Sequence, residues 1–131
     1  MTSANPPLPE VPPGYAVGVG MRSGLPAEAI LHAIREVLGQ ALIQCLATVD
    51  RRAHEPGLVK AAESLGVPLL TYRPRELSQV PVPNPSARTA EALGTPSVAE
   101  AAALLAASAA QLTVAKHAVG GVTIAAAAIH R

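Results

Sequence analysis

The sequence predicts an α/β protein, a three-layer α/β/α sandwich with a mixed, mainly parallel sheet of about five strands. Short apolar runs of strand length alternate with segments whose apolar residues recur at helical spacing, the pattern of strands joined by helical crossovers. Glycine and proline stand at the borders between these segments, where chain direction changes. The apolar half of the chain is mostly alanine, with no Phe and no Trp, so Leu, Ile and Val must fill the core between closely packed backbones. At 131 residues the chain is long enough for one domain with a sizeable core and too short for two.

Met1–Gly14 carries five of the thirteen prolines and reads as an extended, disordered leader, leaving 15–131 as a single domain. Tyr15–Gly20 is the first strand, followed by a glycine-containing loop and a helix with Pro26 in its first turn. That helix carries the stripe Ile30, Ile34, Val37, Leu38 and Ala41, with Gly39 as its stop. Ile43–Val49 is the second strand, Asp50–Glu55 a polar loop, and Pro56–Leu65 a helix that turns Leu58, Ala62 and Leu65 inward and ends at Gly66. Val67–Tyr72 is the third strand, Pro74–Leu77 a helical turn, and Val80–Pro85, with three prolines, an extended crossing loop suited to a lid. Ser86–Leu93 is a short helix and Ser97–Ala110 a longer one, because alanine loses no side-chain entropy in a helix. Leu112–Lys116 and Gly121–Ile129 close the fold as strands joined through a turn at His117–Gly120.

Several classes of function are excluded. A net charge of +1, no run of Lys or Arg, and only Tyr15 and Tyr72 as aromatics argue against nucleic acid, which needs basic patches and stacking rings. No segment reaches the roughly 20 apolar residues of a membrane helix, and the N-terminus lacks the pattern of a signal peptide. The lone Cys45, inside an apolar run, fits a buried thiol in a reducing compartment, hence the cytoplasm. His32, His54, His117 and His130 are spaced unlike a metal set, so no metal is expected. There is no P-loop and no Gly-x-Ser-x-Gly elbow.

In an open α/β sheet, ligands bind beyond the carboxyl ends of the parallel strands. Two loops lie there. Gly18-Val-Gly20-Met-Arg22-Ser23-Gly24 has glycines that would let backbone N–H groups approach an anion, although its spacing departs from a dinucleotide fingerprint and Asp50 falls too late to hold a ribose. Glycines serving a tight turn are the simpler account. The second loop, Thr48-Val-Asp50-Arg51-Arg52-Ala-His54-Glu55, gathers a hydroxyl, two carboxylates, two guanidiniums and an imidazole, enough for carboxylate recognition and for acid/base work. Its alternative is that Asp50 caps the next helix and the arginines form a solvated face. Ser97-x-x-Glu100 has capping-box spacing, and a helix start facing the site would instead make Glu100 a ligand or water contact.

Five blocks in order carry a resemblance: Gly18-Val-Gly20-Met-Arg22; Leu46 through Leu58; Asn84-Pro85-Ser86; Ser97 through Leu104; and Lys116 followed by Gly121-Val-Thr123-Ile-Ala. Across about Tyr15–Ile129 the chain resembles the CobE/CbiG C-terminal domain family of cobalamin biosynthesis, in its stand-alone CobE-like form. The resemblance implies a three-layer α/β/α fold and a role in making the corrin ring. Longer family members are assigned to opening a lactone on a cobalt-precorrin with release of acetaldehyde. Arg52 stands where the family usually has Lys, and His54 where an acid is common.

The expected ligand is a precorrin or corrinoid acid, flat and apolar at the ring and fringed with carboxylates, which calls for an apolar floor with cations around it. Arg22, Arg51, Arg52 and Lys116 would supply the charge, Arg being suited by its two-pronged donation. Gly20, Thr48, Asp50, Ser86 and Ser97 complete the expected binding set, with Glu55 and Glu100 as catalytic candidates. No cofactor is called for. Three readings remain open: a corrinoid-binding pathway protein with unresolved catalysis, a carrier or partner module serving other corrin-pathway enzymes, and a precorrin lactone hydrolase. A nucleotide-binding accessory domain is a further, weaker alternative.

Overall fold

The computed structural model describes residues 14–80, 98–109 and 111–129. In chain order the elements are β1 (Tyr15–Met21), α1 (Ala27–Leu38), β2 (Ile43–Val49), a 3-10 turn (Asp50–Arg52), α2 (Pro56–Leu65), β3 (Leu69–Tyr72), α3 (Pro74–Ser78), α4 (Val98–Ala107), β4 (Val114–Val119) and β5 (Val122–Ala128). The sheet has five strands in the order β3-β2-β1-β5-β4. β1 pairs in parallel with β2 and β2 with β3, while β5 is antiparallel to both β1 and β4. β5 therefore runs against the other four, and the mixed sandwich expected from sequence is the one observed.

Period-2 alternation in β1 sorts its residues between two unlike layers. Val17 and Val19 pack with Leu46, Val122 and Ile124 under Ile30 and Ile34 of α1 and Leu58 of α2. Ala16 faces the other way, joining Cys45, Ala125 and Ala127 beneath Ala99, Ala103, Leu104 and Ala107 of α4. A third group, Ala47, Val49, Leu77, Val98, Ala101 and Ala102, continues this second layer to α3. Gly18 explains how closely α4 lies on β1: a Cβ built there would overlap the Ala99 carbonyl oxygen and come within 2.9 Å of the Ala103 nitrogen.

Several boundaries differ from the sequence reading, each for a local reason. The first strand runs on to Met21. Pro26 is the N-cap of α1 rather than part of its first turn, and Ala41 lies beyond the helix end, where Gly39 N–H closes onto the Arg35 carbonyl at 2.8 Å. Val67 belongs to the cap of α2, since its N–H bonds to Ala62 O at 3.1 Å and that of Gly66 to Glu63 O at 3.0 Å, the Schellman pattern. The third strand is thereby shortened to Leu69–Tyr72. The same pattern ends α4 at Ala107, short of Ala110: Ser108 takes φ 52°, and the N–H groups of Ser108 and Ala109 bond to Leu105 and Leu104 carbonyls.

The last hairpin is tighter than expected. His117, Ala118 and Val119 pair with Ile124, Thr123 and Val122, so the turn is Gly120–Gly121 alone. Their φ values of 58° and 85° satisfy the two positive-φ positions that a strand-matched two-residue turn requires. All four alanines 125–128 lie in β5, where burial between layers overrides their helical preference. The expected lid at Val80–Pro85, beyond its first residue, and the expected helix Ser86–Leu93 lie outside the described residues.

Candidate functional site at the carboxyl ends of β1 and β2

A cleft of about 150 Å³ opens beyond the carboxyl ends of β1 and β2, lined by Gly20, Met21, Thr48, Val49, Arg51, Arg52 and Val98. Its position follows from the topology. β1 leads to α1 on one face of the sheet, whereas α4 covers the other, so the strand ends stand open between them. Met21 and Val49 are the last residues of their strands and Val98 is the first of α4; together they make an apolar wall. Arg51 and Arg52 come from the 3-10 turn that follows β2 directly.

The two arginines differ in how they are held. Arg51 is exposed and pairs with no carboxylate among the described residues. Arg52 is half-buried, its Nη1 lying 3.6 Å from Glu55 Oε2, while Glu55 Oε1 accepts the Gly24 N–H at 2.9 Å. Glu55 thus clasps the loop after β1 to the loop after β2 and steadies one of the two cleft guanidiniums. It does not itself line the cleft. Gly24, with φ 85°, serves the tight turn that is the simpler account of this glycine loop, and its N–H is committed to this carboxylate.

Of the other expected site residues, Gly20 and Thr48 are at the cleft, and the Thr48 hydroxyl donates to the Val19 carbonyl at 2.7 Å in a fully buried bond. Asp50 is exposed and does not cap α2; its carbonyl accepts the Ala53 N–H at 3.0 Å, and Glu55 is the N-cap residue of α2. Arg22 is exposed and lies over Gly121 in the β4–β5 turn, and Lys116 is half-buried on β4; neither lines the cleft. Ser86 and Ser97 lie outside the described residues.

Glu100 is fully buried in the first turn of α4, and its Oε2 accepts the Lys116 backbone N–H at 3.1 Å. The β4 ladder shifts register between Val114 and His117, and that irregularity turns the Lys116 N–H from the neighbouring strand toward the helix. A buried carboxylate needs such donors. The Ser97 half of the expected capping box falls outside the described residues, and Glu100 is absent from the cleft wall. Cys45, 5% exposed, lies under α4, where burial pushes its thiol up and keeps it protonated.

Sequence reasoning missed Met21, Val49 and Val98 as site residues, although each is next to a residue it named. The available signal was position: the last apolar residue of a parallel strand borders the crevice whatever its type. A cleft of this size is below the roughly 300–1,000 Å³ that encloses a whole small-molecule ligand. It has room for one short arm of a larger molecule, with two cations at its mouth and an apolar wall behind.

Comparison with known proteins identifies the family. The family model described as "Cobalamin synthesis G C-terminus" matches residues 15–127, which takes in every strand but the last residue of β5 and every helix described. The chain belongs to the cobalamin synthesis G C-terminal family. It is 32% identical to the crystal structure of CobE, a protein from the cobalamin biosynthetic pathway, with a TM-score of 0.82 and 95% of each chain covered. The cobalamin biosynthesis protein chiG from Agrobacterium tumefaciens is 31% identical, with a TM-score of 0.66 over 88% of this chain and 99% of the other.

A cobalt-precorrin-5A hydrolase from Priestia megaterium is 30% identical over 123 residues, 90% of this chain. The match occupies 33% of that hydrolase, so the chain spans about a third of its length. Family and structural neighbours agree on a role in cobalamin biosynthesis. Among the described residues, no helix is long and apolar enough to cross a membrane.

Proposed function

We propose that this family member binds a precorrin or corrinoid acid at the open ends of β1 and β2, with one carboxylate arm in the cleft and the ring against its rim. One observation carries the reading: the adjacent residues Arg51 and Arg52 both line a largely apolar cleft of about 150 Å³, space for one arm of such a ligand among the described residues. Arginine donates two parallel hydrogen bonds to a carboxylate, and the apolar wall lowers the local dielectric that would otherwise weaken them. Glu55 holds Arg52 in place without neutralising Arg51.

The test is a visible-absorption titration with cobyrinic acid, a corrinoid polyacid, beside its fully methylated ester, which has a similar ring and no charge. The acid is expected to give a saturable shift and the ester none. Arg51→Ala and Arg52→Ala are each expected to weaken the acid by about 1.5–3 kcal/mol, the usual loss when a charged hydrogen-bond partner is removed. Added salt should weaken it further in the wild type than in the variants. Equal affinity for acid and ester, or variants indistinguishable from wild type at every salt concentration, would leave the arginines as a solvated face.

Hydrolysis of a precorrin lactone is the second reading, favoured by the likeness to the Priestia megaterium hydrolase. Binding ranks above it because the cleft wall, among the described residues, holds no carboxylate, and both oxygens of Glu55 face other partners. A carrier or partner module that presents the ring to another corrin-pathway enzyme fits a site that grips without reacting. Incubation with a lactone-bearing precorrin separates these readings, since lactone opening with release of acetaldehyde takes up one water and loses the heavier acetaldehyde, a net fall in mass, whereas carriage leaves the mass unchanged.

A further inference from the structure

β1 carries two glycines that face the same layer, and the structure treats them differently. At Gly18 a Cβ is impossible without moving α4, because the Ala99 carbonyl occupies its place. At Gly20 the nearest atoms to a Cβ would be Thr123 Cβ at 3.6 Å and the Cβ and nitrogen of Ala99 at 3.9 Å, ordinary van der Waals contacts. Gly20 is also absent from the positive-φ residues. Neither packing nor backbone conformation therefore requires glycine there, and glycine inside a strand weakens it by leaving nothing to pack.

We infer that Gly20 sets the size of the ligand arm the cleft accepts: the side chain is missing so that the arm can lie against the backbone of β1, between Thr123 and the first turn of α4. This rests on the binding reading above and adds the residue that decides which arm fits. The space that a Gly20 side chain would take is on the sheet face shared by Val49 and Val98, and all three residues line the cleft. A methyl group there fills a space already small, and a branched side chain closes it. An arm longer by one methylene is the first to be excluded.

The experiment compares Gly20→Ala and Gly20→Val with wild type by thermal melting and by titration with cobyrinic acid. Gly20→Ala is expected to melt at or slightly above the wild-type temperature, since removing glycine from a compatible position restricts the unfolded chain. Its affinity for cobyrinic acid is expected to fall roughly tenfold, and that of Gly20→Val further, as in overpacked sites generally. Gly20→Ala with unchanged melting and unchanged affinity would overturn the inference while leaving the binding reading intact. A fall in melting temperature like that of Gly18→Ala would overturn it too, by showing that the fold itself demands glycine. Wild-type protein that fails to bind cobyrinic acid would overturn the binding reading and the inference with it.

Discussion

The two faces of the sheet are built from different stock. Under α1 and α2 the buried side chains include Val17, Val19, Ile30, Ile34, Leu46, Leu58, Val122 and Ile124, while under α4 they are mostly alanine, with Cys45, Leu104, the Val49–Leu77–Val98 group toward α3 and the bare backbone of Gly18. Large side chains hold helices at a distance and can adjust rotamers when a neighbour changes. Small ones bring backbone onto backbone, where nothing can adjust. The large-residue face buries the bulkier side chains, and the small-residue face fixes where α4 lies and so where Val98 of the cleft wall stands. Stability and site geometry are thus largely assigned to opposite sides of one sheet.

The comparison would break most visibly at Gly18. Gly18→Ala places a methyl group on the Ala99 carbonyl, and the strand and helix backbones must separate along a face built mainly of alanine. A loss of more than about 4 kcal/mol is expected, enough to unfold a domain of ordinary stability. Urea denaturation followed by circular dichroism measures it. A variant that retains wild-type stability would show that α4 is not held at the distance described.

Next in size is a truncation on the large-residue face. Leu46→Ala removes a fully buried side chain between α1, α2 and the sheet, and about 3 kcal/mol should be lost to the cavity and the forfeited transfer. Cobyrinic acid should still bind to whatever fraction is folded, because Gly20, Val49 and Val98 of the cleft lie on the opposite face of the sheet from Leu46. A Kd raised tenfold under fully folded conditions would mean that the two faces are coupled after all.

The smallest expected effect is on pH dependence. Burial raises the Cys45 thiol above its ordinary value of 9.0, so the folded protein keeps its proton where the unfolded chain begins to lose it. Stability is then undiminished below that ordinary value and falls as pH rises through it toward the folded-state value. Tyr72 shifts the same way, by burial first and then by Cys45 and Glu76, but from 10.0. Between about pH 8 and 9.5 the wild type should lose more stability than Cys45→Ala. Parallel pH profiles for the two proteins would place the thiol in contact with water.

Much of this was readable in the residues. Ile30 and Ile34 are one helical turn apart and face the core, and the strands Tyr15–Met21 and Ile43–Val49 lie within a residue of where their apolar runs place them. The position of Arg51 and Arg52 at the end of β2 was legible as well, since both follow its apolar run closely, and both line the cleft. What failed to read were associations across long sequence distances. Arg22 and Lys116 looked equivalent to Arg51 and Arg52 as cations, yet one lies over Gly121 and the other on an edge strand whose backbone serves Glu100. Glu55 looked like an acid or base and is a clasp between two loops 31 residues apart.

By itself the sequence determined the fold class, most of the succession of strands and helices and the family, because periodicity, turn chemistry and residue order are local properties that survive without coordinates. It also placed two arginines beside a strand end. Only the tertiary structure decided that Gly18 is filled by a helix backbone while Gly20 is left open. Two glycines two residues apart are identical to any local rule, and what distinguishes them is the position of Ala99, which is fixed by alanine-against-alanine packing about eighty residues away along the chain.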